Sequence, residues 1–320
     1  MARTDRSHGR WTAQLLLALC FWAGACDGTM PKPPSAPPGV LRLAGDDEIP
    51  TLDPALGYDT SSWTFELLLF EPLLDYDDDL NLVPQLAESW TASDDSRHFS
   101  LTLRRNACFS KGRAVVADDV RYAIERVLRP GTRSPGAEFY RGLEGVPEFL
   151  DGSAPHVKGI IVLDERHLDL RLRDSDPIFP HKLAMPFVAP VPREEVERLG
   201  EEFGRRPVGS GAFRVDEWRT GDRLRLTRRA AEECGVSRED PSAAAAEVAA
   251  DAHEGRLVQS IERLSGISDQ LAWLKFEAGE IDVTDIPLAE LPGVLRNPAA
   301  RRHLIRRTQL ATFFLGINCE

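Results

Sequence analysis

The chain has 320 residues, 42% of them hydrophobic, which is enough apolar material for one or two packed domains. Its formal net charge of -12 argues against DNA or RNA as a partner, because phosphate binding needs clustered lysine and arginine. The cysteines and histidines show no metal-ligand spacing, so we expect neither a metal site nor a cofactor.

The amino terminus has the pattern of an export signal over residues 1–25. Three arginines precede a short apolar run that ends in the small residues Gly24 and Ala25. The run is shorter than the roughly 20 apolar residues that span a bilayer. Cys26 follows directly, which resembles the lipobox of bacterial lipoproteins, so we expect Cys26 to carry lipid. Ordinary cleavage near Ala25, leaving Cys26 as a spare thiol, is the alternative.

Residues 26–39 contain five prolines and no apolar periodicity, which predicts an extended, semi-rigid tether. Beyond it remain Cys108, Cys234 and Cys319. An odd number of thiols cannot all pair within the chain, so their pairing stays open, and buried free thiols are the simplest interpretation of at least two.

Strands and helices alternate along the rest of the chain without a strict βαβ repeat, which predicts a mixed α/β fold. We expect helices over 61–70, after Asp118 as N-cap, and after Ser268 as N-cap, the last one running through Leu271, Leu274, Phe276 and Ala278 to Gly279. Predicted strands cover 40–44, 99–103, 157–163, 167–172, 212–218, 223–227 and 312–317, the middle four as two hairpins. Residues 229–255 are charged and alanine-rich without an apolar face, which predicts a surface insertion.

Four blocks in this order resemble the family 5 extracellular solute-binding proteins, the peptide-binding components of bacterial ABC importers and their relatives. They are residues 48–54 (EIPTLDP), 82–90 (LVPQLAESW) running on through 99–123, 208–213 (VGSGAF), and finally 279–282 (GEID) with 314–318 (FLGIN). Lys111-Gly112 departs from the Asp-Gly usual in the family, which affects only a surface turn. Family members are also longer, so the chain corresponds to at most the first of two lobes.

The resemblance implies the first lobe of a type II, cluster C periplasmic-binding-protein-like fold, with a mixed sheet and an inserted α+β subdomain. We place the main subdomain of the lobe at 40–72 plus 186–317 and the inserted subdomain at 73–185.

The family's loop after the first strand lines the ligand cleft, which implies ligand contact at Glu48, Ile49, Pro50 and Thr51. The alternative is an exposed loop without contact. Ser210 and Gly211 sit in a turn that lies near the cleft in the family. A serine nucleophile at this turn is disfavoured, because Pro207 breaks the G-x-S-x-G pattern.

Two other features have plain structural interpretations. Asp75, Asp77 and Asp79 have the alternate spacing of a calcium loop but lack its glycine and final glutamate, which favours a solvated acidic turn. Trp63, Trp90 and Trp218 are predicted core residues.

The predicted function is therefore a lipid-anchored solute-binding component of an ABC importer, not an enzyme. Its expected partners are a peptide or other small solute, the permease and the membrane, with the protein on the periplasmic face of the cell membrane. With one lobe, peptide binding is expected to be weak or absent. A scaffold lipoprotein derived from the family is the alternative, which the reading frame after Glu320 would discriminate. A secreted hydrolase is a weaker alternative, because the sequence shows no combination of a nucleophile with a base.

Overall fold

A computed structural model describes residues 39–230 and 258–306. Several predictions fall outside these residues: the export signal, Cys26 and almost all of its tether, the 312–317 strand, Cys234, Cys319, and all but the first two residues of the 229–255 insertion. Within the described ranges, no helix has both the length and the apolar character needed to cross a membrane.

Ten strands and nine α-helices are defined in the described ranges. The strands are β1 Val40–Ala44, β2 Leu74–Tyr76, β3 Leu82–Pro84, β4 Ala87–Ala92, β5 His98–Leu103, β6 Ile160–Val162, β7 His167–Arg171, β8 Phe213–Arg219, β9 Arg223–Arg228 and β10 Ser260–Leu264. The helices are α1 Thr60–Leu69, α2 Ala117–Leu128, α3 Ala137–Tyr140, α4 Val146–Leu150, α5 Phe179–Lys182, α6 Arg193–Leu199, α7 Asp269–Glu277, α8 Leu291–Arg296 and α9 Pro298–Arg301.

One four-stranded sheet has the order β1-β10-β9-β8 and brings together distant parts of the chain. β1 pairs with β10 in parallel, from Val40 opposite Ser260 to Ala44 opposite Leu264. The β8–β9 hairpin is antiparallel, as predicted, and β9 continues the antiparallel pairing to β10. The sheet is therefore mixed, with two adjacent carboxyl strand ends at one edge.

A second four-stranded sheet, β4-β5-β7-β6, is antiparallel throughout, and β2 pairs with β3 beside it. In β5 the alternate residues Phe99, Leu101 and Leu103 are buried, which confirms the predicted half-buried strand. All strands of these two sheets fall within 73–185, and all strands of the first sheet fall outside it. One contiguous hydrophobic core joins the sheets, and the two-subdomain division stays a prediction.

Helix α2 carries the amphipathic face that the sequence predicts, but the prediction of its cap is wrong. Val116 is the N-cap residue, and the Asp119 carboxylate accepts the Val116 N–H at 2.9 Å. Arg113 donates two further bonds to Asp119. Asp118 instead forms an ion pair with Arg121 one turn along the helix. A helix can be capped by an acidic residue inside its first turn, which local spacing alone does not distinguish from an N-cap.

Helix α7 follows Ser268, its predicted N-cap residue, although no capping bond from the hydroxyl is formed. The predicted helix is present and has only nine residues, of which Ala272 and Trp273 are buried, while Leu271 and Leu274 are 43% and 53% exposed. Farther along the chain, Val283, Leu288, Leu295 and Ile305 are also exposed, so this end of the molecule presents much apolar surface to solvent.

The Gly209-Ser210-Gly211 turn packs against the carboxyl end of α1. The Gly211 N–H donates to the Leu69 carbonyl at 2.8 Å, and the Ser210 hydroxyl accepts the Glu71 N–H at 3.2 Å. A Cβ atom on Gly209 would lie 2.0 Å from the Leu69 carbonyl oxygen. Glycine is thus required because two backbones approach too closely for any side chain.

The three tryptophans predicted in the core lie at its margin, half-buried. Trp63 donates its indole N–H to the Gly57 carbonyl at 3.0 Å and packs edge-on against Phe187. Their polar ring edges explain this position, since a buried indole must find an acceptor. Cys108 is buried and disulfide-bonded, so it is not one of the free thiols that the sequence allowed among the three cysteines.

Candidate functional site

A cleft of about 440 Å³ opens at the carboxyl ends of the parallel strands β1 and β10. Ligand sites in open α/β sheets commonly lie beyond such strand ends. Three separated parts of the chain form its walls: residues 43–47, then Thr60, Ser61, Thr64 and Phe65, and finally Arg263, Asp269, Ala272 and 283–285. We refer to this feature as the acidic cleft.

The loop that follows β1 is fixed by one buried arginine. Arg263 is only 4% exposed, forms an ion pair with the Asp47 carboxylate and donates to the Asp47 carbonyl at 2.8 Å. A further bond of 3.0 Å reaches the hydroxyl of Ser265. A Cβ atom on Gly45 would lie 2.6 Å from the guanidinium, so the loop passes over the arginine at a position without a side chain. These contacts hold residues 45–47 in one conformation.

The second wall is the amino-terminal turn of α1, which Asp59 caps. Its carboxylate accepts the Ser62 N–H at 2.8 Å and the Ser61 and Ser62 hydroxyls at 2.6 and 2.8 Å. Burial opposes ionisation of Asp59, but the serine hydrogen bonds outweigh it and lower its pKa. The Thr60, Ser61 and Thr64 side chains border the cleft at this helix end.

The third wall is held by Asp282, the last residue of the Gly-Glu-x-Asp motif. Its carboxylate accepts the Arg42 N–H at 2.7 Å and a guanidinium N–H at 2.8 Å, and its own N–H donates to the Arg42 carbonyl at 2.9 Å. The hydrogen bond from Arg42 is the main reason that the pKa of Asp282 is lowered. Since Asp282 is tied to β1, residues 283–285 are brought beside the cleft.

The cleft carries an excess of negative charge. Asp46, Asp47, Asp269 and Asp285 line it, against the single cation Arg263. Of the four aspartates, only Asp47 has an ion-pair partner within the described ranges. A cleft lined by one sign of charge concentrates ligands of the opposite sign. The geometry therefore favours solutes that bring a positive group, together with donors and acceptors for the hydroxyls.

Behind the cleft, Glu66 is buried with neither carboxylate oxygen hydrogen-bonded to any described residue. Burial raises the pKa of Glu66 to about 9, with smaller contributions from the charges of Asp53 and Asp59. Its Oε1 lies against Gly57, where a Cβ atom would approach it to 2.0 Å. The side chain is thus a neutral acid at neutral pH.

Asp53, in the loop after the predicted contact residues, has a different environment. It is 2% exposed, and Arg126 donates to its two oxygens at 2.7 and 2.5 Å. This buried pair joins the loop after β1 to helix α2, across the predicted subdomain boundary.

The six residues predicted to contact ligand do not line the acidic cleft. Glu48 and Pro50 are exposed just beyond Asp47, Ile49 is buried, and Thr51 packs against Gly204. Ser210 and Gly211 occupy the turn at the end of α1. Ligand contact at any of them stays a prediction. The cleft residues on α1 and α7 were not predicted. Two local signals nevertheless mark these helices: Asp59, the N-cap residue of α1, and the Gly-Glu-x-Asp motif that follows α7.

The acidic run at 75–79 covers the end of β2 and the start of the turn that leads to β3. The Asp77 carboxylate accepts the side-chain amide of Asn81 at 3.1 Å and the backbone N–H groups of Asn81 and Asp79 at 2.8 and 3.0 Å, and these bonds, the side-chain bond from Asn81 first, lower its pKa. Within the described ranges, no group of three or more His, Cys, Asp or Glu side chains is arranged to hold a metal ion.

The mixed sheet with its cleft beyond parallel strand ends defines a lobe of a periplasmic solute-binding protein. The murein tripeptide binding protein MppA of Escherichia coli has the same fold, with a TM-score of 0.69 and 25% identity over 82% of this chain and 49% of that one. OppA of Burkholderia pseudomallei matches with a TM-score of 0.67, covering 81% of this chain and 48% of that one at 23% identity, which supports the fold alone.

The chain belongs to the bacterial extracellular solute-binding proteins of family 5, whose model matches residues 81–320. The periplasmic oligopeptide-binding protein OppA of Escherichia coli is 30% identical over 68% of this chain and 42% of its own length. The probable deoxycholate-binding periplasmic protein YgiS of the same organism is 24% identical over 97% of this chain and 55% of its own. The chain thus spans about half the length of these relatives. Members of the family bind substrates and are not enzymes.

Proposed function

We propose that the chain provides the first lobe of the peptide-binding component of an ABC importer. The observation that carries the proposal is the acidic cleft at the carboxyl ends of β1 and β10 in a family 5 solute-binding fold. A second lobe would close over this cleft, and closure is favoured only by a ligand that contacts both lobes.

The cleft offers the groups that an extended peptide needs. Backbone at residues 45–47 and the hydroxyls of Thr60 and Ser61 can exchange hydrogen bonds with a peptide backbone, which gives affinity without reading side chains. Asp46, Asp269 and Asp285 can pair with an amino terminus or a basic side chain. The fixed positions of Asp47 and Asp282 mean that little ordering is needed on binding.

A bile acid is the alternative solute, since one relative is named as a probable deoxycholate-binding protein. Deoxycholate carries a carboxylate and a large apolar ring system. The four cleft aspartates oppose that carboxylate, and the lining contains few large apolar side chains. The charge of the cleft therefore favours the peptide.

Titration of the isotope-labelled chain with trilysine, followed by amide chemical shifts, tests the site. We expect weak binding, with shifts confined to residues 45–47, 60–64 and 283–285. Triglutamate and deoxycholate are the charge controls and should shift these amides less. Stronger shifts with deoxycholate, or shifts only at the turn after α1, would reject the peptide assignment for this cleft. Micromolar affinity in calorimetry would instead contradict the expectation that one lobe is insufficient.

Cys26 is proposed to anchor the protein by lipid to the periplasmic face of the cell membrane, next to the permease. The support is the small-residue run before Cys26 and the proline-rich tether after it. Mass spectrometry of the mature protein should show a diacylated residue 26, and Cys26→Ala should release soluble protein or leave uncleaved precursor. An unmodified Cys26 in the mature chain would contradict the anchor.

A further inference from the structure

A second cavity, of about 730 Å³, lies between α6, the turn that follows it and β8, and it shares no lining residue with the acidic cleft. Five cations line it: Lys111, Arg198, Arg205, Arg206 and Arg214. We call it the basic pocket. Its volume falls within the roughly 300–1,000 Å³ typical of small-molecule sites. A cluster of this sign is unexpected in a chain with a net charge of -12.

Neighbouring carboxylates neutralise only part of this charge. Lys111 and Arg198 share one partner, Glu195, at 2.7 and 2.5 Å. Arg205, Arg206 and Arg214 have no ion-pair partner within the described ranges. Glu202 and Asp216 also line the pocket, but neither lies within ion-pair distance of its arginines. The pocket keeps a positive excess that no described side chain cancels.

Arg205 stands out among the arginines of this molecule. Its guanidinium lies 4.2 Å from the ring centroid of Trp218, and its Nη1 is shielded from solvent without a hydrogen-bond partner among the described residues. Four other arginines have a shielded, unbonded nitrogen, but each has a carboxylate partner: Arg104, Arg166, Arg223 and Arg225. Among the arginines of the described ranges, only Arg205 is partly stripped of water with no described carboxylate beside it, which leaves an uncompensated electrostatic cost.

We propose that the basic pocket binds a phosphate-bearing anion. Stacking on Trp218 fixes the plane of the Arg205 guanidinium, and a fixed guanidinium fork matches phosphate oxygens bidentately. Arg206 and Arg214 border the same cavity and can reach other oxygens of a multiply charged group. The bound anion supplies the missing countercharge for Arg205. Free phosphates and the headgroups of anionic lipids share this chemistry.

Calorimetry of the full chain with pyrophosphate at low salt tests the proposal. Arg205→Gln with Arg214→Gln should weaken binding at least about tenfold, since two charge-assisted bonds are lost. The charge-matched control, Arg193→Gln with Arg141→Gln, removes two exposed arginines outside the pocket and should leave the affinity unchanged. If the double variant unfolds, the single variant Arg214→Gln is measured instead. Arg214 is exposed, so its substitution should not disturb the fold.

Vesicle sedimentation distinguishes the sources of the phosphate. The two double variants are compared on phosphatidylglycerol and phosphatidylcholine vesicles, with and without pyrophosphate. A lipid anchor would contribute equally to both variants, so only the pocket can produce a difference between them. Loss of phosphatidylglycerol binding in the pocket variant alone, reversed in the parent chain by pyrophosphate, assigns the site to lipid headgroups. Pyrophosphate binding without a vesicle difference assigns it to a free phosphate. Equal behaviour of all variants in both assays would overturn the proposal.

Discussion

The acidic cleft and the basic pocket carry opposite charges and differ in how those charges are compensated. In the cleft, Asp47 and the supporting Asp282 are each tied to an arginine, while Asp46, Asp269 and Asp285 have no ion-pair partner among the described residues. In the pocket, Glu195 holds two cations, and three arginines have no ion-pair partner in the part of the chain that the structure describes. In these two sites, the paired charges hold segments of the backbone in place, whereas the unpaired charges that face a cavity are available to a ligand. The following predictions test that distinction.

The largest effect is expected at the buried pair of Arg126 and Asp53, since both side chains are almost fully shielded. Arg126→Met leaves the Asp53 carboxylate buried without a countercharge and should lower the free energy of unfolding by about 3–5 kcal/mol. Urea unfolding measures this loss of stability. Arg121→Met removes an exposed helical ion pair instead and should cost under about 1 kcal/mol. Equal losses in the two variants would show that pairing at Asp53 does not hold the loop.

Glu66 is expected to make stability fall as pH rises. Its pKa is about 9 in the folded chain against 4.5 as the ordinary value, so between these pH values the unfolded chain has released a proton that the folded chain keeps. Stability from this group is complete below pH 4.5 and declines by up to about 1.4 kcal/mol per pH unit above it.

Glu66→Gln should remove that decline and stabilise the protein at pH 8 relative to the parent chain. Urea unfolding at several pH values from 5 to 8 provides the slopes. Glu201→Gln is the control, because Glu201 is exposed and its substitution should leave the slope unchanged. A Glu66→Gln slope equal to that of the parent would mean that the buried acid is ionised in the folded state.

The cleft aspartates should have a smaller effect, and on ligand affinity rather than stability. Asp269→Asn with Asp285→Asn should weaken trilysine binding about three- to tenfold, since each solvent-facing charge contributes under about 1 kcal/mol. Asp94→Asn, in the exposed turn between β4 and β5, is the control and should have no effect. Amide-shift titration measures all three proteins. An effect of equal size at Asp94 would attribute binding to net charge instead of the cleft.

Limited proteolysis tests the predicted subdomain layout without changing any residue. Cleavage is expected first within 27–39 and 229–255, because neither sequence has an apolar face to bury. Mass spectrometry of the early fragments identifies the sites. Early cleavage within 97–128 would count against the layout, since β5 and α2 carry much of the core.

Elements with a strict local period were predictable from the sequence. The alternation in β5 and the apolar face of α2 identified a strand and a helix, because burial of a single face imposes its period on the residues. Helix α7 was also predicted, but its apolar residues do not mark its buried face: Leu271 and Leu274 are exposed, and Ala272 and Trp273 are buried. In so short a helix, tertiary packing decides which face is buried.

The acidic cleft was harder to predict, because its walls come from residues more than two hundred positions apart. The parallel pairing of β1 with β10 brings Asp47 beside Arg263, and no local pattern encodes that pairing. The resemblance to the family indicated ligand contact from Glu48 onward in the loop after β1, whereas the cleft is lined by residues 43–47, which directly precede Glu48. The basic pocket left no sequence signal either, since four of its five cations are interspersed with acidic residues along 194–222 and the fifth, Lys111, lies far from them in the sequence.

The close approach of the Gly209 turn to helix α1 has a consequence for inheritance. Every amino acid that a single-nucleotide change can substitute for glycine carries a Cβ atom, and at residue 209 that atom would lie 2.0 Å from the Leu69 carbonyl oxygen. No conservative missense change therefore exists at this codon. A saturation library of the gene, sorted for folded protein, should lack all nineteen replacements at Gly209, whereas Gly131, with open space around it, should tolerate many of them.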